Sequence, residues 1–224
     1  MVVYAFAHIT KELRPLVFQR FLQQLPPAMQ QKTLRFRRWQ DQNNSLFGKV
    51  LLRHLLIRHF QQAQDCLDQL YANQYGKLFL NAQLDFNISH SDRLVICMIS
   101  DEGAIGVDVE KRRPFKVEDI QTFLRPEEYA QLQNDPTSER FYDFWTKKEA
   151  ILKAKGLGLN LDLRNVHLHG QRGHLLPPLD EWWHFYPLTL HPDYTTTFCL
   201  QTPQATPQQI ELSALSSSFS LLHF

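Results

Sequence analysis

GVDVEKRRP, residues 106–114, sets two acids two positions apart in a run that otherwise alternates as a strand does. Side chains along a strand point to opposite faces in turn, so Ile105, Val107 and Val109 share one face and Gly106, Asp108 and Glu110 the other. The first face is built for a core. The second carries like charges that repel, and a buried carboxylate is costly unless it is paired. Two readings are open. In one, this is a solvated edge strand whose acids meet Lys111, Arg112 and Arg113. In the other, a divalent cation removes repulsion and burial penalty together, since Mg²⁺ takes one or two carboxylates and fills its other positions with phosphate oxygens and water.

The rest of the chain gives this strand a globular setting. Its 224 residues suffice for one large or two small domains with a sizeable core. A net charge of +1 argues against bulk nucleic-acid binding by long-range attraction, and leaves local clusters such as Arg35, Arg37 and Arg38 as anion sites. Cys66, Cys97 and Cys199 are an odd number without a CxxC pair, and read as buried thiols of a reducing compartment. Asn87-Ile88-Ser89 is formally a glycosylation sequon, but no signal peptide accompanies it. No apolar run approaches the ~20 residues of a membrane span. These features together predict a cytoplasmic protein with no membrane or nucleic-acid partner.

Patterning predicts mixed elements in both halves. Val2 to His8 reads as a strand, and Pro26-Pro27 starts a helix over Ala28 to Arg38. Leu46, Phe47, Val50, Leu51, Leu55 and Leu56 form the stripe of a helix from Ser45 to Phe60, with Asn44 or Ser45 as its cap. A turn over Asn73 to Lys77 leads to a strand at Leu78 to Leu80. Strands at Phe86 to Ile88 and Leu94 to Ile99 are joined around Ser89 to Arg93. The second half offers helices over Glu127–Leu132 and Ser138–Lys155, the latter ended by Gly156 and Gly158. Strands follow at Asn165–His169, Trp182–Pro187 and Thr195–Leu200. The Pro- and Gln-rich tail over Gln201–Gln209 runs on the surface before a last apolar segment. The class is α+β.

Two further stretches carry chemistry. In FWTKKEAILKAKGLGL, residues 144–159, Trp145, Glu149 and Lys153 recur every fourth position and share a helix stripe. This is either a surface Glu–Lys pair beside a core tryptophan, or Glu149 joins Asp108 and Glu110 around a metal with Lys153 one turn along. In FNISHS, residues 86–91, a hairpin turn holding Ser89 and His90 offers a hydroxyl, an imidazole and backbone N–H groups suited to a phosphate. Ser, Asn and Asp also populate turns for backbone reasons alone.

In their order and gaps, FNISHS, GVDVE and WTKKEAILK resemble the 4′-phosphopantetheinyl transferases, specifically the longer Sfp-type group, over about Lys32 to Leu161. The resemblance implies two α+β lobes related by a pseudo-twofold, over about 1–103 and 104–224, with coenzyme A in the cleft between them. It implies transfer of the 4′-phosphopantetheine arm to a serine of an acyl or peptidyl carrier protein, releasing adenosine 3′,5′-bisphosphate. Mg²⁺ would be held by Asp108, Glu110 and Glu149. Glu149, directly or through a metal-bound water, would take the serine proton, and Lys153 would stabilise or protonate the leaving group. Asp108 and Lys153 thus lie at the coenzyme's pyrophosphate. Lys148 is assigned weakly to binding, and Trp145 to packing. The 3′-phosphate falls to His90 with Ser89, and phosphate or adenine contacts to the Tyr75-Gly76-Lys77 turn. Lys32 and Arg35 lie where relatives often place basic residues. At Asn44 some relatives carry an arginine for the 3′-phosphate, and here asparagine leaves one neutral donor. Lys111, Arg112, Arg113, Lys116 and Arg125 are docking charges for an acidic carrier or a solvated loop. A two-lobed chain completes its site alone, which predicts a monomer.

Three rivals bracket this reading. A metal nuclease shares paired acids and a Glu–Lys helix but wants a basic stripe, which is absent. A non-enzymatic carrier-binding module would not need Asp108, Glu110, Glu149 and Lys153 intact. A zinc protein could use His167, His169 and His174, although no cysteines help.

Overall fold

The computed structural model describes residues 1–157, 161–203 and 206–210. In chain order it forms β1 (Val2–His8), α1 (Pro15–Leu22), α2 (Pro27–Leu34), α3 (Trp39–His59), β2 (Tyr71–Ala72), β3 (Leu78–Phe79), β4 (Asp85–Ser91) and β5 (Leu94–Ser100). There follow β6 (Ile105–Lys111), α4 (Pro126–Asn134), α5 (Ser138–Lys155), β7 (Val166–His169), β8 (Arg172–Leu175), β9 (Glu181–Leu188), β10 (Tyr194–Leu200) and β11 (Gln208–Gln209). The class is α+β, as the pattern predicts.

Two main sheets carry the structure, one ordered β11-β1-β5-β4 and the other β6-β10-β9-β8-β7. Alternation along each strand decides what each sheet covers. Val3, Ala5, Val95, Cys97 and Ile99 face α3 and its leucines. Val2, Tyr4, Leu94, Ile96 and Met98 face the other way and meet Ile105, Val107, Val109 and Phe198 of the second sheet. That second sheet turns its remaining face, through Trp183, Phe185 and Cys199, to Ala150, Ile151 and Ala154 of α5. One long helix thus backs each sheet, and the two sheets share an apolar layer. Gly106 lets α5 lie directly on β6: a Cβ there would sit 1.9 Å from the Ala150 carbonyl oxygen.

The structure moves several expected boundaries. The helix predicted from Ser45 begins at Trp39, so Asn44 and Ser45 are interior residues and not its cap. Burial of Asn43 and Asn44 against the fold outweighs the weak helix preference of the polar stretch. The helix predicted to reach Arg38 stops at Leu34. Ser89 and His90 are strand residues of β4, because the reversal occurs at Asp92-Arg93, with Asp92 at φ 51°. Strand β8 lacks a sequence signal, its Arg, Gly and His masking the alternation. The surface tail forms β11 and pairs in parallel with β1. Gly158 and the last apolar segment lie outside the described residues. α5 does end at Gly156, whose φ of 65° suits glycine, and starts at Thr137, whose hydroxyl accepts from the Arg140 amide.

Candidate active site

The site forms where the edge strands of the two sheets meet. β6 pairs through one edge with β10, which leaves the N–H groups of Ile105, Val107, Val109 and Lys111 facing β4. No strand receives them. Instead Asp85 Oδ2, Asn87 Oδ1, Ser89 Oγ and Ser91 Oγ accept these amides in turn, at 2.9, 3.1, 3.2 and 3.1 Å. Buried backbone donors need partners, and the alternating D-x-N-x-S-x-S of residues 85–91 supplies one per step. That period-two polar pattern was the available signal for this interlock, and the turn reading of FNISHS passed over it.

Ser89 has a second task. Its Oγ donates to Asp108 Oδ1 at 3.0 Å and accepts from Lys153 Nζ at 2.7 Å. Lys153 Nζ also reaches Asp108 Oδ1 at 2.5 Å. One residue from each of β4, β6 and α5 therefore closes a buried triangle, with Asp108 only 2% exposed. Ser91 Oγ likewise donates to Glu110 Oε2 at 2.6 Å.

The acids around this triangle are electrostatically strained. Burial, then the charges of Asp108 and Glu149 opposed by Ser91 and Lys153, pushes the Glu110 carboxyl up to about 7. Burial and Asp108 raise Glu149 as well, against the pull of Lys153. Asp108 Oδ2 and Glu149 Oε1 are buried with no hydrogen-bond partner. Such orphaned carboxylate oxygens are costly, and oxygen donors of this kind suit Mg²⁺. Among the described residues, however, no three His, Cys, Asp or Glu side chains are already gathered as a metal-holding group. Lys153 supplies the positive charge beside Asp108.

The other expected residues separate. Alternation sends Ser89 towards β6 and His90 to the opposite face, so the two do not form one phosphate pocket. His90 keeps solvent exposure, yet the protein packed around it and the Lys153 ammonium hold its imidazole below the usual range. Asn44 is 3% exposed and its Nδ2 donates to the Asp92 carbonyl at 2.9 Å, so its amide is already engaged. Lys77 is engaged too, pairing with Asp85 Oδ2 at 2.7 Å and donating to the Ala154 carbonyl at 2.6 Å. Lys32 and Arg35 are exposed at the end of α2. Lys148, fully buried, pairs with Glu128 Oε2 at 2.6 Å and anchors α5 to α4, a structural duty that replaces the binding one. Trp145 packs against Phe123 and Phe141 as expected.

Tyr75 and Gly76 line a cavity of about 250 Å³ together with Phe86, Asn87, Ile88, Lys153 and Gly156. The Lys153 that lines it is the one that touches Asp108. Of the expected docking charges, Lys111 pairs with Asp92, Arg125 with Glu127, and Arg112 with backbone carbonyls of Pro192 and Tyr194. Arg113 and Lys116 remain exposed. His174 pairs with Asp180 and His167 with Glu127, so the histidines of the rival zinc reading are divided between carboxylates.

Comparison with known proteins covers both halves of the chain. Residues 104–199 match the 4′-phosphopantetheinyl transferase superfamily, and residues 14–102 match the 4′-phosphopantetheinyl transferase N-terminal family. The 4′-phosphopantetheinyl transferase Sfp of Bacillus subtilis is 33% identical over 194 residues, 83% of this chain and 86% of the relative. The chain belongs to the 4′-phosphopantetheinyl transferase superfamily. Its relatives include the transferase gsp of Aneurinibacillus migulanus, 29% identical over 74% of this chain and 70% of that protein. The transferase ffp of Bacillus subtilis is 35% identical over 62% of this chain and 64% of its own length. As an Sfp-type transferase it moves phosphopantetheine from coenzyme A to carrier proteins. No described helix is long and apolar enough to cross a membrane.

Proposed function

We propose that this transferase is Mg²⁺-dependent and releases adenosine 3′,5′-bisphosphate, with its chemistry centred on the Asp108–Lys153–Ser89 triangle. The observation that carries this reading is the pair of buried, unpartnered oxygens on Asp108 and Glu149 beside a carboxyl as strained as Glu110. Asp108, Glu110 and Glu149 would hold the metal, which when bound supplies charge neutralisation at the coenzyme's pyrophosphate.

The chain's own residues then divide the work. The serine Oγ of the carrier attacks the phosphorus bearing the pantetheine arm. The bond from that phosphorus to the bridging pyrophosphate oxygen breaks, and the departing phosphate takes the electron pair. Glu149, its carboxylate beside Asp108 and Lys153, accepts the serine proton. Lys153, held by Asp108 and Ser89, stabilises charge growing on the leaving phosphate. The Tyr75-lined cavity over Lys153 receives part of the coenzyme. Arg113 and Lys116 meet an acidic carrier.

The two lobes would divide near residue 103, in the turn between β5 and β6, as 1–103 and 104–224, except that β11 crosses back to pair with β1 of the first sheet, with the pseudo-twofold relating helix-backed sheets. The reading includes a monomer acting in the cytoplasm. Incubation of coenzyme A and an apo carrier with the enzyme, with and without Mg²⁺, tests it. Intact mass should show one added arm on the carrier serine, and chromatography an equal amount of adenosine 3′,5′-bisphosphate. Transfer at full rate after exhaustive chelation would remove the metal from the reading.

A further inference from the structure

Lys49 lies in α3, half buried, and is one of the basic side chains without an acidic partner. Its Nζ donates to the Ser45 carbonyl oxygen at 2.8 Å, Ser45 Oγ at 2.7 Å and Thr33 Oγ1 at 3.3 Å. All three acceptors are neutral, and among the described residues no carboxylate reaches it. Burial, and then repulsion from Lys32 on the adjoining α2, brings the ammonium down to about 8. An ammonium kept out of water without a counter-charge is costly for the fold. An anion bound from outside would relieve that cost.

A histidine faces the same place. β4 and α3 are fastened at two points: Asn44 Nδ2 on the Asp92 carbonyl at 2.9 Å, and Gly48 against Ile88, where a Cβ would come within 2.9 Å of Ile88 Cγ2. His90 lies between Ile88 and Asp92 and shares the face of Ile88, so its ring is directed at this stretch of α3. There it feels Lys49 and, in opposition, Asp41. Lys49 thus feels Lys32 on one side and acts on His90 on the other, with Asp41 the acid nearby, while the Asn44 amide is occupied by the Asp92 carbonyl.

We propose that Lys49 is the specificity-determining cation for the coenzyme's 3′-phosphate, assisted by His90 and Lys32, in place of any contribution from Asn44. This rests on the coenzyme A reading above. A half-buried ammonium carrying three fixed acceptors is already oriented, and a dianionic phosphate can replace Thr33, its most distant contact, without stripping the other two. Arg35, exposed beyond α2, is not required.

Calorimetric titration of coenzyme A and of 3′-dephospho-coenzyme A into the whole protein tests the assignment. Wild type should prefer coenzyme A by about tenfold or more, the scale of one charged hydrogen bond. Lys49→Gln should bring the two affinities to within about threefold by weakening coenzyme A alone, and Lys49→Arg should keep most of the preference. Lys49→Met serves as a second neutral variant should Lys49→Gln fold poorly. A preference unchanged in the neutral variants overturns the proposal and places the phosphate with Lys32 or Arg35. Failure of wild type to bind either coenzyme overturns the coenzyme reading itself, and the proposal with it.

Discussion

Ser89 and Asp108 lie 19 positions apart, on different sheets, and are joined by a 3.0 Å hydroxyl–carboxylate hydrogen bond that Lys153 also enters. The same hydroxyl accepts the Val109 amide, so a residue expected to hold phosphate also aligns the acid and the lysine. Ser89→Ala leaves the Val109 N–H without its partner, which costs about 1–3 kcal/mol. It should also lower kcat beyond that stability loss, because Lys153 and Asp108 lose a shared anchor. Denaturant unfolding beside saturation kinetics separates the two. Equal effects from Ser91→Ala on kcat would deny Ser89 its positioning role.

Glu149→Gln keeps the shape of the side chain and removes both charge and basicity. Transfer should fall at least ~100-fold with Mg²⁺ saturating, the scale of a lost general base. Stability should hold or rise, since a carboxylate repelled by Asp108 is gone. Near wild-type turnover in this variant would reassign the base.

Lys153→Ala should slow transfer while coenzyme affinity stays within a few-fold, because the charge it meets develops mainly in the transition state. Single-turnover rates at saturating coenzyme decide the matter. A change confined to affinity would make Lys153 a ground-state binding residue.

Gly106→Ala would place a methyl group 1.9 Å from the Ala150 carbonyl oxygen and 2.7 Å from the Ala154 amide nitrogen, contacts that require backbone movement. Overpacking of this kind costs about 1–3 kcal/mol or more. The displaced helix carries Glu149 and Lys153 away from Asp108, so activity should fall further than melting temperature implies. An unaltered melting temperature would contradict the close approach of α5 to β6.

Lys49 gives a pH signature of its own. Its folded value of about 8 lies below the ordinary 10.5, so between the two the unfolded chain binds more protons than the folded one. Stability contributed by this residue therefore rises as pH climbs from about 8 to 10.5, and is lowest below that window. The wild-type minus Lys49→Met difference in unfolding free energy should rise with pH across that window. A difference that falls across the window would reverse the assigned cause.

Much of this architecture is legible in the sequence because periodicity is strong where packing is simple. The face division of β6 and the span of α5 follow from alternation, helical spacing and a glycine stop. The start of α3 does not, because Asn43 and Asn44 are helical through tertiary burial that local propensity opposes. The site is legible as far as Asp108 and Lys153 meeting, since their motifs announce charge. The partners of Lys77 and Asn44 are not, as each depends on where a distant backbone carbonyl falls. Lys49 is silent in sequence for a similar reason: only the three-dimensional neighbourhood shows that it lacks an acid.

The side-chain ladder between β4 and β6 also restricts how the molecule can move. Each rung fixes register, since a slip by one residue would set apolar side chains opposite the waiting amides. A hinge that parted the sheets to admit a carrier would release Val109 and disarm Lys153 in the same stroke. In the proposed function the two substrates therefore meet at this seam from outside, the coenzyme over Tyr75 and the carrier serine from the solvent side.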